Sequence, residues 1–502
     1  MPIKYTYSEI YYPQPATQNK DSMSKKTKKK NKNHSDTVAN VRNRRPSCSI
    51  ISLGCPKNLA DSELMIGRMV EAGFQFRENP TRVDVMILNT CGFLSDARNE
   101  ARAILDSLLA EKSAGRIATV IVTGCAVQHE REKLVDEFPE VDYWLGVFDE
   151  FHIGEIAKRL LGNDSEAIDI ADNQRVFLSA EQKTLFDASS RHRLTLPHVA
   201  YLKIADGCSR HCAYCLIPKI RGPFVSRPKE QIIDEAKRLA DEGIREIVVI
   251  AQETNFWGQD LYGRPMLAEL LAELQAIDGF DWLRLMYTYP AHFSDELIDR
   301  FVSGGKLLPY IDLPLQHCND EILRKMNRKA NRSETETLLG KLRDRIPRLV
   351  LRTSLITGFP GETDAMFDEL LDFVRTWQFE RAGVFQYSRE EGTVAAAMPD
   401  QIDAMVKAER YRRLYELTET QTLDWAARQV GQQLDILIDQ PECDENGRRV
   451  PGVMIGRTFA DAPTIDPVVI VTSQTPGQIA PGQIVPCEIV MTNGVDLLAV
   501  PV

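Results

Sequence analysis

No apolar run in this chain approaches the roughly 20 residues that span a bilayer, which excludes an ordinary transmembrane helix. The first residues lack an apolar core followed by a small-residue cleavage site, so no secretory signal is expected and a cytoplasmic location is. Self-similarity at solenoid periods is missing, which excludes a repeat array. Positive charge is outnumbered beyond the first segment. Residues 1–45 hold 11 Lys/Arg and 3 Asp/Glu, a net of +8, while the whole chain carries −11, leaving −19 for the remainder. An acidic body repels phosphate backbones at long range. What remains is an ordinary globular composition, 43% hydrophobic and 26% charged over 502 residues, enough for two to four domains.

Residues 1–45 are rich in Lys, Asn, Ser and Gln and read as a disordered basic tail, either a solvated face or a tether to ribosomal RNA. Order is expected from about residue 46. Three apolar, β-branched runs, CSIISLGC (48–55), VDVMILNTC (83–91) and ATVIVTGC (118–125), read as buried parallel strands separated by helices. This alternation predicts an α/β domain with a doubly wound parallel sheet over 46–162. A polar linker follows at 163–193. Six further strand–helix units and a long trailing helix over 194–428 predict a partial (β/α)6 barrel. Residues 429–502, rich in Val, Ile, Gly and Pro, predict a small antiparallel β-barrel.

Ten cysteines are many for a reducing compartment, where metal or redox chemistry explains them better than disulfides. Cys208, Cys212 and Cys215 form C-x3-C-x2-C in IADGCSRHCAYCLIPKIRG, at the end of the first predicted barrel strand. Ends of this kind form the catalytic face of such barrels. Three neighbouring thiolates suit a 4Fe-4S cluster with one iron left open. A zinc site completed by His211 is the alternative, but structural zinc sites usually use a second cysteine pair, and none is present.

Cys55, Cys91 and Cys125 are distant in sequence yet each stands just after an apolar strand. In a parallel sheet such ends share one edge, where ligands bind. Gly54 and Gly124 precede two of them and allow close approach. Convergence of three thiolates is therefore expected. Cys48, Cys318, Cys443 and Cys487 lack the pattern and read as packing residues, Cys318 also as a candidate for the barrel mouth.

The C-x3-C-x2-C loop with Tyr214 just before its third cysteine resembles the radical S-adenosylmethionine (SAM) superfamily. With the second cysteine set, the barrel and a C-terminal domain resembling a TRAM domain, residues 46–502 resemble the radical SAM methylthiotransferases. The segments IAQETNFWGQDLYG, LPLQHCNDEILRKMNR, RTSLITGFPGET and IGRTFADAPTIDPVVIV, with its APxID phrase, are similar to the RimO-type branch. That resemblance implies two 4Fe-4S clusters, on Cys208, Cys212 and Cys215 and on Cys55, Cys91 and Cys125. It implies two uses of SAM, as methyl donor and as radical source. The implied product is a methylthio group on the β-carbon of an aspartate in small-subunit ribosomal protein S-twelve. Tyr214, Gln252, Glu253 and Arg352 are implied SAM contacts, although Ser354 stands where the superfamily usually has glycine. An electron donor such as flavodoxin or ferredoxin is expected, and a monomer.

Two other readings share these residues. A MiaB-like enzyme would methylthiolate a tRNA adenosine beside the anticodon, but residues 430–502 hold 9 Asp/Glu and 3 Lys/Arg, an acidic balance better suited to a basic protein than to RNA. A non-catalytic electron-transfer protein would not need a barrel with the cysteine loop at its catalytic mouth.

Overall fold

A computed structural model describes residues 44–162, 174–181, 191–475 and 477–502. Nearly all of the expected basic tail and most of the expected linker lie outside the described residues. The chain divides into two units, one formed by residues up to Gly92 and Asp96–His192, the other by Phe93–Ser95 and Arg193–Val502.

The first unit is a six-stranded parallel sheet. Its strands are β1 (Ser47–Ser52), β2 (Gln75–Phe76), β3 (Val83–Thr90), β4 (Ile117–Gly124), β5 (Tyr143–Leu145) and β6 (Val176–Phe177), in the order β2-β1-β3-β4-β5-β6. Met86 and Leu88 of β3 pack with Ala101, Leu105 and Leu108 of helix Ser95–Ser113. Val85 and Ile87, which alternate with them, are buried as well, so both faces are covered and the strands read as apolar runs. The expected doubly wound sheet is present, and β6 comes from the stretch read as linker. Helix Pro56–Ala72 starts with proline at its first position and stops at Gly73, whose φ of 117° lets its N–H reach back to Met69 and Val70.

In the second unit, β7 (Val199–Lys203), β10 (Glu246–Ile250), β11 (Trp282–Leu285), β12 (Leu307–Asp312), β13 (Val350–Thr357) and β14 (Arg381–Gln386) form a six-stranded parallel sheet that does not close on itself, in keeping with the expected partial (β/α)6 barrel. A short ladder of β8 (Ala205–Asp206) and β9 (Val225–Ser226) brackets the cysteine loop. Strands β15 (Gln433–Cys443), β16 (Arg449–Arg457), β17 (Val469–Thr472), β18 (Ile484–Asn493) and β19 (Asp496–Pro501) close into a small barrel. It departs from the expected antiparallel pattern at one seam, where β17 and β19 run parallel.

This small barrel is joined to the strand sheet by buried charge. Glu246, at the start of β10, accepts from Arg284 Nε at 2.7 Å and from Arg457 Nη1 at 2.5 Å. Arg457 also grips Asp439 at 2.7 and 3.0 Å, and Asp439 meets His198 Nε2 at 2.9 Å. Nearby, Arg381 donates to Asp461 at 2.6 Å, and Tyr310 donates to Asp466 at 2.7 Å. Glu246 and Arg284 have no exposure. Removing one partner of such a network strands the others in a medium that cannot solvate them, at a cost of about 3–5 kcal/mol. Glu246→Ala is therefore expected to lower unfolding free energy by about that amount. Urea unfolding of the variant checks this, and an unchanged midpoint would show that the guanidiniums find other partners.

Candidate metal centres

In the first unit, the order β2-β1-β3 makes the chain leave β1 toward one side and return on the other. The crevice at such a reversal is where open α/β sheets bind ligands. Cys55 follows β1, Cys91 follows β3, and Cys125 follows β4. Their loops touch. A Cβ on Gly54 would lie 2.8 Å from Cys91 Cβ, one on Gly92 2.5 Å from the Cys125 carbonyl oxygen, and one on Gly124 2.5 Å from the Thr90 carbonyl oxygen. Only glycine permits this spacing, and Gly54 and Gly124 also need their positive φ of 93° and 98°.

Two asparagines tie the ends together. Asn58 Nδ2 donates to the carbonyls of Leu53 (3.1 Å) and Thr90 (2.9 Å), while its Oδ1 lies 3.4 Å from Cys125 Sγ. Asn89 Nδ2 donates to the Asn58 carbonyl at 2.9 Å. Thr90 Oγ1 donates to the Thr123 carbonyl at 2.6 Å and accepts from Ala126 N at 3.2 Å. Cys55 stands at the N-cap position of the helix Pro56–Ala72.

In the second unit, Cys208, Cys212 and Cys215 lie in the loop after β8. Asp206 anchors its start. The carboxylate accepts from Lys203 (3.0 Å), Arg221 (3.0 Å), Gln252 Nε2 (2.9 Å) and Gly207 N (2.8 Å). Burial opposes its charge, but Lys203 and Arg221 hold it well below the usual carboxylate range. Ala213 N donates to the Met326 carbonyl (2.9 Å) and Asn327 Nδ2 to the His211 carbonyl (2.7 Å), which clasps the loop from the far side. Ala213 packs with Ile322, Met326, Phe359, Tyr387 and Ala395, and Tyr214 lies against this cluster.

Burial pushes the Cys208 thiol up to about 11 and Cys215 to about 12, even though each sulfur accepts a backbone N–H at 3.4 Å, from Arg210 and Ile217. Each of these thiols also feels Cys212, so three thiolates here raise one another's cost. A multivalent metal centre would offset both penalties and hold such a set as thiolates. The donor set therefore fits an iron–sulfur cluster. Among the described residues no group of three His, Cys, Asp or Glu side chains is arranged to hold a single ion, so the zinc alternative gains no support. A cluster asks less convergence of its donors, since each thiolate binds a different iron.

The other expected site residues fall in different places. Gln252 and Glu253 follow β10. Gln252 gives its Nε2 to Asp206, and its Oε1 is buried without a partner. Glu253 is paired with Arg210 at 2.7 and 2.9 Å. Arg352 is held by Asp312 (2.9 Å) and Asp466 (3.5 Å), and among the described residues no ion pair joins it to the cysteine loop. Cys318 is buried in the core cluster of this unit, and burial pushes its thiol, like that of Cys48, up to about 12. Cys487 is buried as well and Cys443 is exposed.

Sequence reasoning passed over Asn58, Asn89, Asp206, Arg210 and the Met326–Arg328 clasp. Asp206 could have been found, because it directly precedes the loop in IADGC. The others carry no local signal of their own.

Residues 202–374 match the Radical SAM superfamily, residues 47–146 the Uncharacterized protein family UPF0004, and residues 430–502 the TRAM domain. The ribosomal protein uS12 methylthiotransferase RimO of Lachnoclostridium phytofermentans is 43% identical over 422 residues, 84% of this chain and 92% of that protein. The protein of the same name from Desulforamulus reducens is 42% identical, over 86% of this chain and 95% of its own length. That of Symbiobacterium thermophilum is 40% identical over 92% of each.

Gly92→Ala would drive a methyl group into the Cys125 backbone. The expected outcome is loss of the iron that Cys55, Cys91 and Cys125 would hold, with that of the Cys208 loop retained. Iron and sulfide analysis of the reconstituted variant would fall to the content of a single cluster, and full content would show that the loops yield.

Proposed function

The chain belongs to the RimO family of ribosomal protein uS12 methylthiotransferases, and we propose that it replaces a C–H bond on the β-carbon of a uS12 aspartate with a methylthio group. The observation that carries this reading is the pair of cysteine triads at strand ends, in a chain more than 40% identical to curated enzymes of that name. When bound, a cluster at Cys208, Cys212 and Cys215 supplies reductive cleavage of SAM to a carbon radical, and one at Cys55, Cys91 and Cys125 carries the sulfur to be transferred.

The chain's own residues bind, orient and exclude water. Each triad offers three thiolates for a cube of four irons, which leaves one iron for an exogenous ligand. Tyr214 and the apolar cluster around Ala213, Phe359 and Tyr387 shield the loop, which keeps a reactive radical from solvent. Gln252 Oε1 is a buried acceptor in need of a donor, and the SAM amino group is a donor of the right kind. Glu253 lies next to it in sequence and is bridged to Arg210, so that pair adds no net charge there. Arg352 takes no part in this assignment, because Asp312 and Asp466 occupy its guanidinium.

No helix among the described residues is long and apolar enough to cross a membrane. Together with a ribosomal substrate, this supports a cytoplasmic enzyme. A monomer served by flavodoxin or ferredoxin completes the proposal.

The deciding experiment is mass spectrometry after anaerobic turnover with SAM and, in separate reactions, purified uS12 and unmodified tRNA. A methylthio mass gain on an aspartate peptide is expected. A gain on tRNA alone would replace this reading with the MiaB-like one. In the same assay Cys212→Ala should abolish SAM cleavage. Cys91→Ala should keep substantial cleavage and lose methylthiolation, and a modified product from Cys91→Ala would remove the assigned role of the first unit.

A further inference from the structure

Two guanidiniums stack on one ring at the cysteine loop, and only one of them is neutralised. Tyr289 has Arg210 at 4.4 Å and Arg328 at 4.3 Å from its ring centre. Arg210 is bridged by both oxygens of Glu253. Arg328 donates to the Pro314 carbonyl at 2.5 Å, and no carboxylate pairs with it among the described residues. Its other neighbours are Tyr214 and Cys212, and they and Tyr289 hold its proton more tightly than usual, against the burial that opposes its charge.

The local chain geometry fixes this placement. Helix Asp320–Lys325 ends at Met326, and Asn327 turns left-handed with φ 57°, a conformation asparagine tolerates well. That turn sends the Asn327 amide to the His211 carbonyl and leaves the Met326 carbonyl to accept from Ala213 N. Arg328 is thereby fastened to the loop by the residues just before it. A half-buried cation without a counter-ion is costly unless an anion is supplied. Thiolate-ligated clusters are anionic, and net charge and hydrogen bonding around the sulfurs set their reduction potential.

We propose that Arg328 is a positioning residue that raises the reduction potential of the cluster on Cys208, Cys212 and Cys215, its guanidinium serving as that cluster's counter-charge. The inference rests on the cluster assignment made above. The added electron makes the centre more negative, so a fixed positive charge nearby favours the reduced form that cleaves SAM. Arg210 cannot serve the same end, since Glu253 cancels its charge.

The test uses the full chain with Cys55→Ala, Cys91→Ala and Cys125→Ala, so that only the loop centre contributes to the signal. Its midpoint potential is measured by redox titration followed by electron paramagnetic resonance. Arg328→Gln, added to this background, is expected to keep the iron content and move the midpoint to lower potential. Arg328→Lys, which keeps the charge, is expected to stay near the parent. An Arg328→Gln midpoint equal to that of the parent overturns the proposal. So does an equal shift in both variants, or equal loss of iron from both, since each assigns shape rather than charge. Absence of any cluster signal in the parent background instead removes the underlying cluster assignment, and this proposal with it.

Discussion

The carboxylate of Glu246 is shut away from water between Arg284 and Arg457, and much of the second unit is arranged around keeping it paired. Such a group is tolerated in an interior only when its partners are fixed in place. Arg457 belongs to the small C-terminal barrel and Arg284 to β11, so pairing Glu246 holds the barrel against the starts of the parallel strands. Asp439 with His198, Asp461 with Arg381 and Asp466 with Tyr310 extend the same seam. The cysteine loop and Gln252 lie at the other ends of strands from that sheet. The ionic base therefore sets the frame in which the loop geometry has meaning.

This seam also changes the meaning of the acidic C-terminal composition. Of the nine acidic residues in 430–502, Asp439, Asp461 and Asp466 are buried in the seam, as is Arg457 among the three basic ones. Six acidic and two basic residues remain outside it, a net of −4 rather than −6. Part of the charge that suggested a basic partner is thus internal bookkeeping of the fold. The APxID phrase has a structural explanation too, since Asp466 accepts from Tyr310 and from Ala462 N and so pins its own loop beneath the sheet.

The strands, and the placing of Cys55, Cys91 and Cys125 at their ends, were legible because their signals are local or periodic. Apolar β-branched runs ending in cysteine announce strand ends, and C-x3-C-x2-C needs no tertiary context. The parallel β17–β19 seam was not legible, because strand direction in a small barrel follows from closure rather than from any one segment. The fate of Arg352 was hidden for a related reason. Its partners Asp312 and Asp466 lie 40 and 114 residues further along or back in the chain, and no spacing rule connects them. Arg328 stood in a segment already noticed for its resemblance, yet its role depends on which arginine near Tyr289 lacks a carboxylate, and only the fold decides that.

The two cysteine sets differ in how much chain must be closed to form them. Cys208, Cys212 and Cys215 are separated by 4 and 3 residues, whereas Cys55, Cys91 and Cys125 are separated by 36 and 34. Closing the longer span costs about 2 kcal/mol more in chain entropy for each link, and its donors meet only after three strands have been laid side by side. The donors of the short loop share one segment of chain and need no strand pairing to be neighbours. A cluster on the distant set would require that the first sheet had already been assembled in its native order.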